Sequence, residues 1–138
     1  MALVLNPYLN FRDNAREAME FYQEVFGGEL TVGTFADFGA SQDPGEDQLV
    51  MHADLQRADG IRFMGADTPH RMAYTPGTNF SMSLSGEDEA QLRGLYDKLA
   101  EGGAVIEPLE RAPWGDLFGM CSDRFGITWL VNVNAQKD

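Results

Sequence analysis

Only one cysteine occurs in the 138 residues, Cys121. It has no partner for an internal disulfide, which points to a reducing, cytoplasmic setting. Histidine is nearly as scarce, with His52 and His70 alone. Basic residues are outnumbered: ten Lys and Arg face 22 Asp and Glu, for a net charge of −12 and a pI near 4.4. So acidic a surface repels phosphate backbones and anionic lipid, which argues against nucleic acid and membrane as partners. Its plain meaning is solubility. No apolar run approaches the length of a bilayer span. The apolar start "MALVLNPYLNF" is interrupted by Asn6 and Pro7 and has neither a basic beginning nor a small-residue cleavage site, so it does not read as a signal peptide. What is present, a 43% hydrophobic fraction over this length, fits one domain with a sizeable core.

Apolar residues recur with two periods. "LVLNPYLNF" alternates as a strand, with Leu3, Leu5, Leu9 and Phe11 on one face and Asn6, Tyr8 and Asn10 on the other. Asn14 and Glu17 resemble a capping box, and Ala15, Ala18, Met19, Tyr22, Val25 and Phe26 follow at helical spacing. Gly27-Gly28 ends that helix. "ELTVGTFADF" reads as a strand, and the acidic stretch at 39–48 as a loop. "QLVMHADLQ" and "IRFMGA" then form a hairpin about Ala58-Asp59-Gly60, with Leu49, Met51, Ala53 and Leu55 opposed to Val50, His52, Asp54 and Gln56.

After a Pro-, Gly- and Thr-rich connection the pattern restarts. "NFSMSLS" is a strand with Phe80, Met82 and Leu84 on one face. Ser85 with Asp88 suggests a second capping box, and Ala90, Leu92, Leu95, Tyr96 and Leu99 line a second helix that stops at Gly102-Gly103. "AVIEPLE" runs from strand into loop. "DLFGMCS" and "ITWLVNV" pair about a turn at Asp123–Gly126. The order β-α-β-β-β therefore occurs twice, and "FYQEVFGGEL" echoes "LYDKLAEGGAV" as "DGIRFM" echoes "FGITWL". The fold expected is α+β, a single domain of two βαβββ units: 1–67, a connection at 68–77, and 78–134.

Two such units carrying "NPYLNF", "EAMEFYQEVFGGE", "MHADL" and "WGDLFGMCSDRFGITWLVN" resemble the vicinal oxygen chelate superfamily of glyoxalases, bleomycin-resistance proteins and extradiol dioxygenases. The closer likeness is to its PhnB-like subgroup. The methyltransferase label attached to that subgroup does not carry over, because no glycine-rich loop joins a strand to a helix as a nucleotide-type methyl donor would need. The resemblance implies curled half-barrel sheets that pair, within a chain or across a homodimer, around a cavity. It also implies His, Glu or Gln metal ligands on the first and last strands of each unit. Those positions hold Asn6 (or Pro7), Met64, Ser81 and Leu130. Divalent metals of this kind take imidazole nitrogens or carboxylate oxygens, so no metal cofactor is expected, a divalent metal being the alternative.

Strand parity places Asn6, Tyr8, Asn10, His52, Asp54, Arg62, Met64, Asn79, Ser81, Ser83, Thr128, Leu130 and Asn132 on one set of faces. Alternation alone is also what a sheet with one wet face shows; the resemblance is what turns this set into a cavity lining. The ligand-binding candidates are Tyr8, Asn10, His52, Arg62, Ser81, Trp114, Leu130 and Asn132. Tyr8 and Trp114 can stack on a planar ligand, and Arg62 or His52 can hold an anionic group. His52, Asp54 and Arg62 are the weak acid–base candidates, although His52 and Asp54, two apart on a strand, point in parallel. His70, in a loop, reads as solvated, within reach of Asp67. Cys121 reads as a buried structural thiol. The function expected is metal-free binding of a small organic molecule; the alternative is a metal-dependent or acid–base lyase, isomerase or dioxygenase.

Overall fold

A computed structural model describes residues 3–135. The chain divides into two compact units, residues 1–75 and 76–138. Unit one runs β1 (Tyr8–Phe11), α1 (Ala15–Phe26), β2 (Glu29–Thr34), β3 (Val50–Gln56) and β4 (Arg62–Asp67). Unit two runs β5 (Met82–Gly86), α2 (Glu89–Ala100), β6 (Ala104–Arg111), β7 (Leu117–Ser122) and β8 (Thr128–Val133). The sheet orders are β1-β4-β3-β2 and β5-β8-β7-β6, each with one parallel pair made by its first and last strands. The internal echo in the sequence is thus a repeat of topology, strand for strand.

In unit one the sheet turns Leu9, Phe11, Ala53, Leu55 and Phe63 onto α1, which buries Ala18, Met19, Tyr22 and Phe26 in return. Tyr22 and Phe26 both meet the Phe63 ring edge-on, at centroid distances of 5.4 and 6.0 Å; such pairs add about 0.5–1.5 kcal/mol each beyond the area they bury. In unit two Leu92, Tyr96 and Leu99 of α2 cover Trp129, Val131 and Cys121. Tyr96 donates its hydroxyl to the Glu107 carbonyl at 2.8 Å, so its polar end is satisfied as its ring is buried. Cys121 is fully buried, and loss of water pushes its thiol up to about 11, which keeps it protonated and unreactive.

The paired glycines after each helix have two separate jobs. Gly27 and Gly102 take φ of +74° and +80°, the left-handed turn that leaves a helix. The second glycine of each pair lies against a strand end. A Cβ at Gly28 would come within 2.4 Å of the Gln56 carbonyl oxygen, and one at Gly103 within 2.0 Å of the Ser122 oxygen.

Several sequence expectations are corrected. The first strand is only Tyr8–Phe11; Leu3 and Leu5 lie ahead of it, fully exposed. Its partner among the described residues, β4, begins pairing at Met64 opposite Tyr8, and Pro7 has no N–H to extend a ladder. The strand after α1 stops at Thr34, where Thr34 and Asp37 bond reciprocally through their side chains and turn the chain. A bulge where Thr34 pairs with Val50 shifts the start of β3, so Val50 is buried and Met51 is exposed, the reverse of simple alternation. Phe80 precedes β5 and is exposed. Asn14 makes no side-chain cap; the Asp67 carboxylate takes the Ala15 N–H instead, at 2.9 Å. Ser85 lies inside β5, and Asp88 caps α2 through the Gln91 N–H at 3.0 Å, which leaves Ala90 exposed in the first turn.

His70 does not meet Asp67. Its Nε2 lies 2.7 Å from Asp13, and its backbone N–H donates to the buried Glu46. The hydrogen bond to Asp13 comes first in raising its pKa, followed by the charge of Asp13 and then that of Glu46. A histidine raised in the folded state stabilises it fully below the unfolded value, about 6.5, and the contribution is lost as pH rises through the raised value. The His70 ring protons should therefore titrate above the ordinary value by NMR, and Asp13→Asn should return the midpoint toward it. An unchanged midpoint in the variant would remove Asp13 as the cause.

Candidate functional site

The helix-free face of the unit-one sheet gathers most of the predicted residues. One row across the strands is Tyr8, Met64, Asp54 and Thr31; Arg62 and Gln56 form the next, toward one end. Asn10 lies beside Ala66, and His52 pairs with Gly33. The register follows from burial of the opposite face, since a slip by one residue would turn Leu9, Ala53, Leu55 and Phe63 into water.

Two pairs organise this face. Arg62 holds Asp54 with two prongs, Nη2 to Oδ2 at 3.0 Å and Nε to Oδ1 at 3.4 Å, and Gln56 donates to the same carboxylate at 3.0 Å. The Arg62 hydrogen bond keeps Asp54 below its usual pKa, and Asp54 raises that of Arg62. Asp54 is thus a fixed anion and a poor base, and much of the arginine charge is answered within the pair. The second pair is Tyr8 and His52, whose hydroxyl and Nδ1 lie 3.2 Å apart, with ring centroids 5.8 Å apart. Burial raises the Tyr8 pKa, which keeps the phenol protonated. His52 is therefore oriented by Tyr8, and Asp54 by Arg62; His52 and Asp54 do not form a base-and-orienter dyad.

In unit two the helix-free face carries Thr128, Leu130 and Asn132 of β8. Leu130 lies between Ser83 and Met120, and Asn132 between Ser85 and Phe118. Asn132 gives its amide hydrogens to Asp116 at 3.0 Å and Asn134 at 2.9 Å, and the first of these leads in lowering the Asp116 pKa. Trp114 stands in the turn before β7, 61% exposed, edge-on to Phe118 at 5.5 Å. Ser81 is exposed just ahead of β5. Two concavities lie off these faces. One of about 300 Å³ is bordered by Asp13, Arg16, Glu17, Glu20 and Gln48, and one of about 450 Å³ by Glu87, Glu89, Arg111 and Asn134. Neither includes a predicted site residue.

Two aromatic residues were missed. Phe38 lays its ring over Gly33, where an added Cβ would fall 2.4 Å from Cε2, on the same face as His52. The signal was Gly33 itself, since a glycine inside a strand marks a close approach. Phe118 shares its face with Met120 and was legible from the alternation of "DLFGMCS".

A sequence model of the Glyoxalase/Bleomycin resistance protein/Dioxygenase superfamily matches residues 4–131. The chain belongs to this superfamily. Its fold matches protein PA1353 from Pseudomonas aeruginosa with a TM-score of 0.83 and 35% identity, covering 98% of this chain and 100% of that one. A PhnB protein from Bacillus cereus matches with a TM-score of 0.74 and 27% identity, over 96% and 100% of the two chains. Protein YjdN of Escherichia coli is 28% identical over 96% of this chain and 97% of its own.

Of the positions that the resemblance assigns to metal ligands, Met64 and Leu130 lie in β4 and β8, whereas Asn6 and Ser81 fall just ahead of β1 and β5. Unit one thus offers an amide and a thioether, and unit two a hydroxyl and a hydrocarbon, and neither pair suits a divalent ion. Among the described residues no group of three or more His, Cys, Asp or Glu is placed to hold one. No described helix is long and apolar enough to cross a membrane.

Proposed function

We propose that this superfamily member binds a small organic molecule on its helix-free sheet faces, without a metal. The observation that carries the reading is the composition of the unit-one face. It sets phenol, imidazole, amide and thioether groups beside a largely self-neutralised Arg62–Asp54 pair. Fixed polar groups among apolar surface suit recognition of a ligand with a few polar atoms. Tyr8, Asn10, His52, Arg62, Ser81, Trp114, Leu130 and Asn132 are the contacts proposed. The protein acts as a homodimer in the cytoplasm. Open sheet edges at β1, β2, β5 and β6 support the first part; the unpaired, buried Cys121 supports the second.

Plasma mass spectrometry on protein purified without a histidine tag should find no stoichiometric metal. A thermal-shift screen of antibiotics and aromatic acids should find a saturable stabiliser whose effect is lost in Tyr8→Ala. Stoichiometric zinc, nickel, manganese or iron, lost with His52, would replace this reading by a metal-dependent lyase, isomerase or dioxygenase. Sedimentation at micromolar concentration should give twice the chain mass.

A further inference from the structure

On the unit-one face the Tyr8 hydroxyl and His52 Nδ1 lie within hydrogen-bond distance. We propose that His52 presents its Nε2–H to a hydrogen-bond acceptor on a planar ligand, and that the Phe38 ring is the surface against which that ligand lies. This rests on the binding reading above and names its ligand class: flat molecules with an unprotonated ring nitrogen or a carbonyl.

The tautomer follows from the partner. An imidazole sp² nitrogen is a better acceptor than a phenol oxygen, whose lone pair is shared with its ring, and the phenol O–H is the better donor. The Tyr8 hydroxyl and His52 Nδ1 lie 3.2 Å apart, and in this proposal the phenol O–H is the donor and Nδ1 the acceptor. With Nδ1 accepting, the hydrogen of neutral imidazole sits on Nε2. That nitrogen has no hydrogen-bond partner among the described residues, and His52 is only partly buried.

The stacking surface follows from the glycine. Gly33 is the register partner of His52, and its missing side chain lets the Phe38 ring settle on the strand at that point. Phe38 remains 57% exposed, so one side of the ring is covered by β2 while the rest is available. The turn that delivers it is fixed by the Thr34–Asp37 bonds and by Ala40 N–H to the Phe35 carbonyl at 2.9 Å. Recognition by Arg62 would have favoured anions; the two-pronged Asp54 contact leaves His52 as the directional group.

The test needs no natural ligand. Long-range ¹⁵N–¹H correlation spectra of the full chain at about pH 8 report the His52 tautomer directly. The Nε2–H pattern is expected, shifting toward a mixture in Tyr8→Phe. Isoquinoline and 4-quinolone, each with an acceptor atom, should perturb the His52 Nε2 and Phe38 resonances. Indole, which only donates, should bind about fivefold to tenfold more weakly, the loss of one hydrogen bond. Gly33→Ala should weaken the acceptor probes by displacing the ring, with Phe38→Ala as a check that does not crowd β2. His52→Gln, whose amide N–H stands near the Nε2 position, should retain more binding than His52→Ala. An Nδ1–H tautomer, or equal binding of indole and the acceptors, overturns the inference and leaves the binding reading intact if the ligand screen gives a stabiliser. No response to any probe together with an empty screen overturns both.

Discussion

Asp123→Ala should destabilise unit two by about 3–5 kcal/mol, more than any surface substitution, with little change in its sheet-face residues. The carboxylate is 3% exposed and closes the β7–β8 turn from inside. One oxygen accepts the backbone N–H groups of Phe125 at 2.8 Å and Ile127 at 3.1 Å; the other accepts the indole N–H of Trp129 at 2.9 Å. Hydrogen bonds to a charged group contribute about 1.5–3 kcal/mol each, and a buried donor left unpaired costs about 1–3 kcal/mol. The three bonds share one group and do not add fully, which sets the expected range below their sum. The Trp129 indole, 1% exposed, has no water to replace its partner. Urea unfolding monitored by tryptophan fluorescence measures the loss. Asp123→Asn is the sharper comparison: one amide oxygen can still serve one group of donors, so about half the loss should return. A change below 1 kcal/mol for alanine would mean that backbone bonds, among them Gly126 N–H to the Asp123 carbonyl and Asp123 N–H to the Ile127 carbonyl, hold the turn without the carboxylate.

Residues such as Asp123 mark where the sequence was readable and where it was not. The repeat was readable because each unit buries one face of its sheet under one helix, and that burial enforces periods of two and 3.6 along the chain. The face assignment of Phe63 against Arg62 and Met64, and of Trp129 and Val131 against Thr128 and Leu130, followed from the same constraint. Errors arose where a contact jumps across the chain. The bulge opposite Thr34 inverts the start of β3, and no local pattern announces it. The cap of α2 is ambiguous in sequence because Ser85 and Asp88 both stand near its start, and the cap of α1 is invisible there because Asp67 supplies it from 52 residues away. The candidate site divided along the same line. Tyr8, His52, Asp54 and Arg62 fall on one face by parity, but who holds whom depends on cross-strand register: Tyr8 reaches His52 over 44 positions, and Arg62 turns back eight to Asp54. Phe38 escaped notice because the residue that seats it, Gly33, contributes by having no side chain.

The same reasoning yields the second large effect, at Asp67. Asp67→Ala is expected to cost unit one about 3–4 kcal/mol and to loosen α1 before the rest of the sheet. This aspartate ends β4, is 4% exposed, and divides its oxygens: Oδ1 accepts the Ala15 N–H at 2.9 Å and Oδ2 the Val50 N–H at 2.9 Å. It therefore does for α1 what Asn14 fails to do, and does so from 52 residues away. Its negative charge also stands at the positive end of the helix, a favourable placement worth about 0.3–1 kcal/mol at an exposed site and up to about 2 kcal/mol where partly buried. Since the other oxygen pins the first residue of β3, one side chain ties helix start, bulged strand start and strand end together. Removing it leaves two buried backbone donors unpaired, each costing about 1–3 kcal/mol unless the chain shifts to find water. Amide exchange should separate the two consequences: the Ala15 and Val50 amides should lose protection first, by a factor of about 100, corresponding to roughly 2.7 kcal/mol of local opening. If exchange instead rises uniformly across unit one, Asp67 stabilises the unit only as a whole. Asp67→Asn would keep one oxygen and turn an N–H₂ toward the other donor, so it should recover less than half of the loss.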